Sequence, residues 1–149
     1  VVLPPEKAEM MKSRRPKSRM EIASDSIDNA ISRFRLMPPQ PCAQEYVLEY
    51  IAKTSYRETE QGWILKSDPK ISSTYKYNDL HEMMMNPKTD LEIIYGQLSQ
   101  VFTPDVLDYM KYAGQLDETK IHRLEGAMHH LFLDRPLEFK DLVLKILEN

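Results

Sequence analysis

The residues best suited to chemistry are two adjacent histidines, His129 and His130, in the segment "GAMHHLFLDRP" (126–136). Imidazole is the side chain that gains and loses a proton near neutral pH, so it serves as a general base or a metal ligand. Neighbouring side chains in an extended or turning segment point apart, so we expect one of the pair, His129, to face a site. His130 is expected to pack behind it in a supporting position.

A metal centre built from His122, His129 and His130 is not favoured, because the sequence lacks the HExxH and CxxC spacings typical of metal sites. We therefore predict neither a metal nor another cofactor, and proton transfer remains as the chemistry to explain.

The composition of the chain narrows the classes of protein to which it can belong. The chain has 149 residues, 42% of them hydrophobic, which suffices for one domain with a core. A formal net charge of -3 argues against a nucleic acid or an anionic membrane as partner. The single cysteine, Cys42, cannot form an internal disulfide, and no apolar run approaches the roughly 20 residues of a spanning helix. These features predict a cytoplasmic protein.

The elements that must position the histidines lie in the last third of the chain. Apolar runs at 91–96 and 120–124 are typical of buried strands, and each precedes an amphipathic helix, at 103–114 and 136–147. Strand, helix, strand, helix in this order predicts the βαβα end of a parallel sheet. Such strands are buried between neighbours that these residues do not supply, so the pattern favours the back half of a larger α/β protein.

These segments resemble a known family. "EIIYGQLS" (92–99) and "IHRLEGAMHHLFLDRPLEF" (121–139) look like the last two strands and helices of the α/β-hydrolase fold, and residues 33–70 are similar to the helical cap of many bacterial members. The resemblance implies three parts: a proline-bearing, basic linker into the cap at 1–21, a helical cap or lid at 22–88, and the C-terminal part of the hydrolase core at 89–149.

The family supplies a role for the histidine pair. The resemblance implies that His129, the third residue after Gly126, is the general base of a nucleophile–histidine–acid triad, with His130 in support. Many members carry the acid three residues after the glycine equivalent to Gly96, where this chain has Ser99. Serine cannot hold a negative charge, so Ser99 is expected to be a supporting hydrogen-bonding residue. The acid is then expected upstream of the chain, with Glu6 as the nearby carboxylate within it.

The family's nucleophile is absent. It stands in Gly-x-Ser-x-Gly, and none of the four glycines belongs to such a motif. We therefore expect an N-terminal half of the core to supply the nucleophile, and this chain to be inactive alone. An open sheet edge invites pairing, so self-association of the isolated chain, for example as a homo-oligomer, is also expected.

The function implied is hydrolysis of a small-molecule ester, with Trp63, Tyr46 and Met84 as candidate walls of the substrate pocket. Carbon–halogen or epoxide hydrolysis by an aspartate nucleophile on the same fold is an open alternative. A non-catalytic helical module that binds another protein is a second one, and it leaves the context of His129 unexplained.

Overall fold

The computed structural model describes residues 1–13, 22–74 and 80–148. These residues form two compact units, a C-terminal unit of residues 1–13 and 80–148 and a central unit of residues 22–74. In chain order the helices and strands are α1 (Pro5–Ser13), α2 (Ile27–Ser32), α3 (Glu45–Ser55), β1 (Tyr56–Thr59), β2 (Gly62–Leu65), α4 (Ile71–Thr74), α5 (His81–Met85), β3 (Ile93–Gly96), α6 (Pro104–Gly114), β4 (Ile121–Leu124), α7 (Leu131–Asp134) and α8 (Pro136–Leu147).

The central unit combines helices with a β-hairpin. The Ser26 hydroxyl accepts a hydrogen bond from the backbone N–H of Asn29 and caps α2, as expected of a helix start. Strands β1 and β2 are antiparallel. Ser24 and Trp63 exchange two backbone hydrogen bonds, of 2.9 and 2.8 Å, which join the start of the unit to β2. The segment "ETEQG" (58–62) forms the turn end of this hairpin.

The C-terminal unit contains the predicted parallel strand pair. β3 and β4 are parallel, with Ile93 opposite Ile121 and Gly96 opposite Leu124. Helix α6 connects them, so the predicted strand–helix–strand order is confirmed. Buried apolar residues from four segments form the core on which β3 lies: Val2, Met84, Ile93, Val106, Met110 and Ala113. This core holds β3, the strand from whose end the Ser99 loop extends.

The first 13 residues belong to this C-terminal unit. Helix α1 buries Ala8, and the Lys7 ammonium lies 2.6 Å from the Asp105 carboxylate at the start of α6. Part of the segment predicted as a solvated linker is therefore a packed helix, because Val2 and Ala8 supply apolar contacts that the basic character of the segment concealed. Most of the basic run in the predicted linker lies outside the described residues.

Helix α5 lies in the C-terminal unit. The division into a linker at 1–21, a cap at 22–88 and a part of the hydrolase core at 89–149 stays a prediction.

Candidate active site

The loops that follow β3 and β4 lie side by side at the carboxyl ends of the two strands. Because the strands are parallel, the two loops leave the sheet at the same edge. Open α/β sheets bind ligands at this edge. Ser99 follows β3 and His129 follows β4. The Ser99 Oγ lies 3.4 Å from the His129 Nδ1, a long hydrogen bond that joins two residues 30 positions apart.

Three hydrogen bonds fix the backbone of the His129 loop. The Gly126 N–H donates to the Gln97 Oε1 at 3.0 Å, and the Leu98 N–H donates to the Ala127 carbonyl at 2.9 Å. The Met128 N–H donates to the Asp134 Oδ2 at 2.8 Å. The loop is thus held from the β3 side and from α7, so the imidazole that follows Met128 starts from a defined backbone position.

A close backbone approach brings the two loops together. A Cβ atom added at Gly96 would lie 2.0 Å from the Met128 carbonyl oxygen and 2.5 Å from the Ala127 carbonyl oxygen. Any residue other than glycine would therefore collide with the loop. Gly126, at the turn into this loop, has a φ of 65°, the left-handed region that glycine adopts without steric penalty. Two glycines thus allow His129 to reach Ser99.

The His129 side chain is half-buried, and its pKa is lowered from the ordinary value of 6.5. Burial is the main cause, since desolvation disfavours the imidazolium. The positive charge that His130 can carry and the amino group of Val1 lower it further. The neutral ring that a general base requires is therefore the stable form near neutral pH.

His130 and His129 are closer to each other than the sequence indicated. Their ring centroids are 5.3 Å apart with the rings edge-on. The expectation that the two side chains diverge is therefore wrong, whereas a position of His130 next to His129 agrees with a supporting role.

The other predicted site residues lie elsewhere. Glu6 is an exposed residue of α1, and no hydrogen bond or ion pair joins it to His129 in the described part of the chain. Tyr46 is exposed on α3 and Trp63 is half-buried in β2, both in the central unit. Met84 lies in the C-terminal unit, where it is buried and lines a cavity of about 390 Å³ together with Ile93, Phe102 and Met110.

Within residues 1–13, 22–74 and 80–148, no group of three or more His, Cys, Asp or Glu side chains is arranged to hold a metal ion. His122 lies in β4 and its Nε2 donates to the Glu92 carboxylate, so it is engaged away from His129. Over the same residues, no helix has the length and apolar character needed to cross a membrane.

Comparisons with known proteins identify the fold of the chain. No protein-family model and no curated protein matches the chain. Among solved structures, E-2-(acetamidomethylene)succinate hydrolase matches 99% of the chain with a TM-score of 0.73 at 12% identity. The thioesterase domain from the curacin biosynthetic pathway matches 87% with a TM-score of 0.65 at 18% identity. The chain has the fold of the C-terminal part of an α/β-hydrolase.

The predicted fold class is thus confirmed, although the chain spans only about half of each matched structure, 54% and 46% respectively. In this α/β-hydrolase fold, β3 and β4 are parallel strands with flanking helices, and Ser99 and His129 occupy the loops after them. Identities this low establish the fold and no more, so the activity has to be argued from the site.

The sequence alone does not identify two residues that hold the His129 loop, Asp134 and Gln97. Asp134 ends α7 and its carboxylate accepts from the Met128 N–H, while Arg135 stands at the cap position of α8. A polar residue directly after a strand-end glycine is the one signal for Gln97, and its partner at Gly126 is visible only once the strands are aligned.

Replacing Asp134 with alanine is expected to destabilise the loop. The Met128 N–H would lose its acceptor in a half-buried position, which lowers the free energy of unfolding by about 1–3 kcal/mol. Urea denaturation of the full-length protein measures this change. Asp134→Asn keeps an acceptor oxygen and should retain most of the stability, so equal loss in both variants would contradict this role of the carboxylate.

Proposed function

We propose that this chain is the C-terminal part of a hydrolase that cleaves small-molecule esters, and that His129 is its general base. The observation that carries the proposal is the placement of a half-buried imidazole at the carboxyl edge of the parallel strands, with its Nδ1 against Ser99 and its loop braced on both sides. In this proposal a preceding half of the core supplies the nucleophile and the oxyanion-binding groups. The absence of Gly-x-Ser-x-Gly from the sequence supports that division.

The chemistry uses the Nε2 atom of His129. Nε2 takes the proton of the nucleophile's hydroxyl as the oxygen attacks the ester carbonyl, and it then protonates the departing alkoxide. In the second half of the reaction, Nε2 takes a proton from water, which attacks the acyl-enzyme and releases the acid. Both halves require the ring to be neutral with its proton on Nδ1. The lowered pKa of His129 supports the first requirement.

A further observation favours acyl hydrolysis. The matched structures are described as a hydrolase of E-2-(acetamidomethylene)succinate and a thioesterase domain, and a thioesterase cleaves an acyl bond. The central unit contains helices and a β-hairpin with half-buried Trp63. As part of the proposal, we assign this unit the role of the cap that the sequence resemblance implies.

A substrate panel tests the class of reaction. The full-length protein is incubated with p-nitrophenyl acetate and butyrate, with 1-chlorobutane and with styrene oxide. Release of p-nitrophenol alone supports the ester assignment. Halide or diol formation without ester cleavage would instead indicate an aspartate nucleophile, and no turnover of any compound would favour the non-catalytic alternative.

The pH dependence of the reaction should follow the lowered pKa of His129. Neutral imidazole is the active base, so kcat/KM rises with pH through that pKa, and the midpoint of the rise is expected below the ordinary 6.5. In a longer chain the Val1 amine becomes a peptide bond, but burial and His130 still act in the same direction. His130→Gln removes the second positive charge and should move the midpoint upward. A midpoint above 6.5 in the unsubstituted protein would contradict this expectation.

A further inference from the structure

Four rings form a continuous aromatic row that leads from His129 into helix α8. The ring centroids of His129 and His130 are 5.3 Å apart, and those of His130 and Phe132 are 6.4 Å apart. The row ends on α8, where the Phe139 ring lies 6.3 Å from Phe132. Tilted or edge-on rings at about 4.5–7 Å have the geometry that aromatic side chains prefer. The aromatic row therefore connects α8 to the imidazole of the candidate base.

The short helix α7 holds the middle of this aromatic row. The His130 carbonyl accepts from the Leu133 N–H at 2.8 Å and from the Asp134 N–H at 3.2 Å, so His130 stands at the start of α7. Phe132 extends from the same helix, and its ring is edge-on to that of His130, with an interplanar angle of 84°. Because both its backbone and its ring are held, His130 has little freedom to turn away from His129.

The Phe132 ring lies at the surface, and 51% of this residue is exposed. Its ring contacts in the described part of the chain join it to His130 on one side and to Phe139 on the other. A half-exposed ring adds less to the core than a buried one, since less of its apolar area is removed from water. Loss of this ring should therefore act on its neighbours more than on the stability of the whole fold.

We infer that Phe132 is a positioning residue that holds His130 against His129 and so keeps the His129 imidazole in place. Phe132 has no contact with the reacting atoms and acts through His130. Asp134, from the same helix, accepts from the Met128 N–H on the other side of His129 in the chain. Helix α7 thus supports the imidazole from the residue before it and from the residue after it. The consequence for turnover rests on the proposed function of His129.

The position of His130 has an electrostatic effect on His129. Positive charge on His130 disfavours the imidazolium form of His129 and, after burial, is a cause of its lowered pKa. The Ser99 hydroxyl, the Asp134 carboxylate and the Val1 amino group also face the His129 loop. None of these groups belongs to the aromatic row, so a change at Phe132 should leave their effect as it is.

Phe132→Leu removes the ring that holds His130. His130 can then move away from His129, which reduces both the burial of His129 and the effect of the neighbouring charge, so the pKa of His129 should rise. We expect kcat for p-nitrophenyl butyrate to fall by about two- to tenfold, the contribution of one aromatic pair, with KM changed little. Phe132→Tyr keeps the ring and should restore the unsubstituted values. Phe139→Leu removes the ring behind Phe132 and should act in the same direction as Phe132→Leu.

The test is a double-mutant cycle with His130→Gln in the full-length protein. A residue that acts through His130 must lose its effect when the His130 ring is absent, whereas an independent structural effect would add. NMR titration of the ring protons gives the pKa of His129, and His129→Gln identifies these signals by their loss. We expect Phe132→Leu to raise this pKa when His130 is present and to leave it unchanged in His130→Gln. An equal rise in both backgrounds, or no rise in either, would overturn the inference.

Tyr112→Leu is the matched control. Tyr112 is also an exposed ring of the C-terminal unit, and it packs against Tyr109 with a centroid separation of 6.5 Å. Tyr109 in turn stacks on His81, so this second set of rings leads away from His129. The pKa of His129 should be the same in Tyr112→Leu as in the unsubstituted protein. A rise equal to that in Phe132→Leu would show that loss of any surface ring has this effect, and it would overturn the inference.

The NMR measurement separates this inference from the proposed function, because it does not depend on catalysis. If the pKa changes as expected and kcat falls with it, both stand. If the pKa changes as expected while ester hydrolysis is unchanged in Phe132→Leu and in His129→Gln, the positioning role of Phe132 stands and the role of His129 as the base is refuted.

Discussion

Replacing His129 with alanine in the full-length protein is expected to reduce kcat for ester hydrolysis by about 1,000-fold, with KM changed little. A positioned general base contributes about 100- to 10,000-fold, and the larger values hold where the base also activates a nucleophile. The reason lies in the geometry, because His129 is the imidazole at the carboxyl edge whose loop is braced by Gln97 and Asp134. Steady-state rates with p-nitrophenyl butyrate measure the effect.

The matched control is His122→Gln. His122 is also a half-buried imidazole of the C-terminal unit, but it lies within β4 and its Nε2 donates to Glu92. Glutamine keeps a donor for that contact, so turnover should stay within about threefold of the unsubstituted protein, the scatter expected for sites away from the chemistry. Similar loss of activity in both variants would mean that loss of an imidazole acts through folding, and unchanged activity in His129→Ala would remove the catalytic role.

Gly96→Ala is expected to reduce kcat by about 100-fold, since a displacement of about 1 Å at a catalytic group can have that effect. The added Cβ would stand 2.0 Å from the Met128 carbonyl oxygen, a backbone atom that cannot turn aside as a flexible side chain can. The loop must therefore move away from the end of β3 and carry His129 with it. The overpacking should also lower the free energy of unfolding by about 1–3 kcal/mol.

Gly114→Ala provides the comparison for this variant. It is also a buried glycine of the C-terminal unit, but an added Cβ there meets side-chain atoms of Leu116 and Met84 at 3.0 to 3.3 Å. Those side chains can shift, and alanine favours the helix, so activity should change little. Kinetics and urea denaturation of both variants measure the contrast. A Gly96→Ala protein with normal kcat would show that the close loop approach does not control the position of His129.

Much of the fold could be predicted from local patterns. The strand pair β3 and β4 and the helix α6 between them were predicted because short apolar runs and an amphipathic helical pattern can each be recognised within a few residues. The backbone conformation at the end of α6 is less visible in the sequence. Glycine is the residue that commonly supplies a left-handed stop after a helix, but Gly114 lies within α6 and Gln115 adopts φ 50° instead. A glycine required for close packing and one required for its φ look alike in a sequence.

The elements that were missed depend on distant partners. The hairpin strand β1 has few apolar residues of its own, and its pairing with β2 stabilises it. Helix α1 was interpreted as linker because prolines and basic residues dominate its neighbourhood, whereas Ala8 and the Lys7–Asp105 pair attach it to the C-terminal unit. Such contacts span about 100 positions, and no local pattern contains them.

The candidate site also combines features that the sequence indicates with features that only the fold reveals. The resemblance to the hydrolase family pointed to Ser99 and His129, each three residues after a glycine, and the structure brings their side chains together. Their catalytic roles stay a prediction. The residues that hold the loop could not be predicted, because the Gln97 contact to Gly126 depends on the register of β3 against β4.

The most direct test of the central claim, that His129 activates a nucleophile, is the rate at which a fluorophosphonate probe labels the full-length protein. The probe reacts with an activated serine whatever the natural substrate is, and mass spectrometry locates the labelled residue. We predict covalent labelling of one serine outside this chain, slowed by about 1,000-fold in His129→Ala and unchanged in His122→Gln. Labelling at equal rates in the unsubstituted protein and in His129→Ala would contradict the claim.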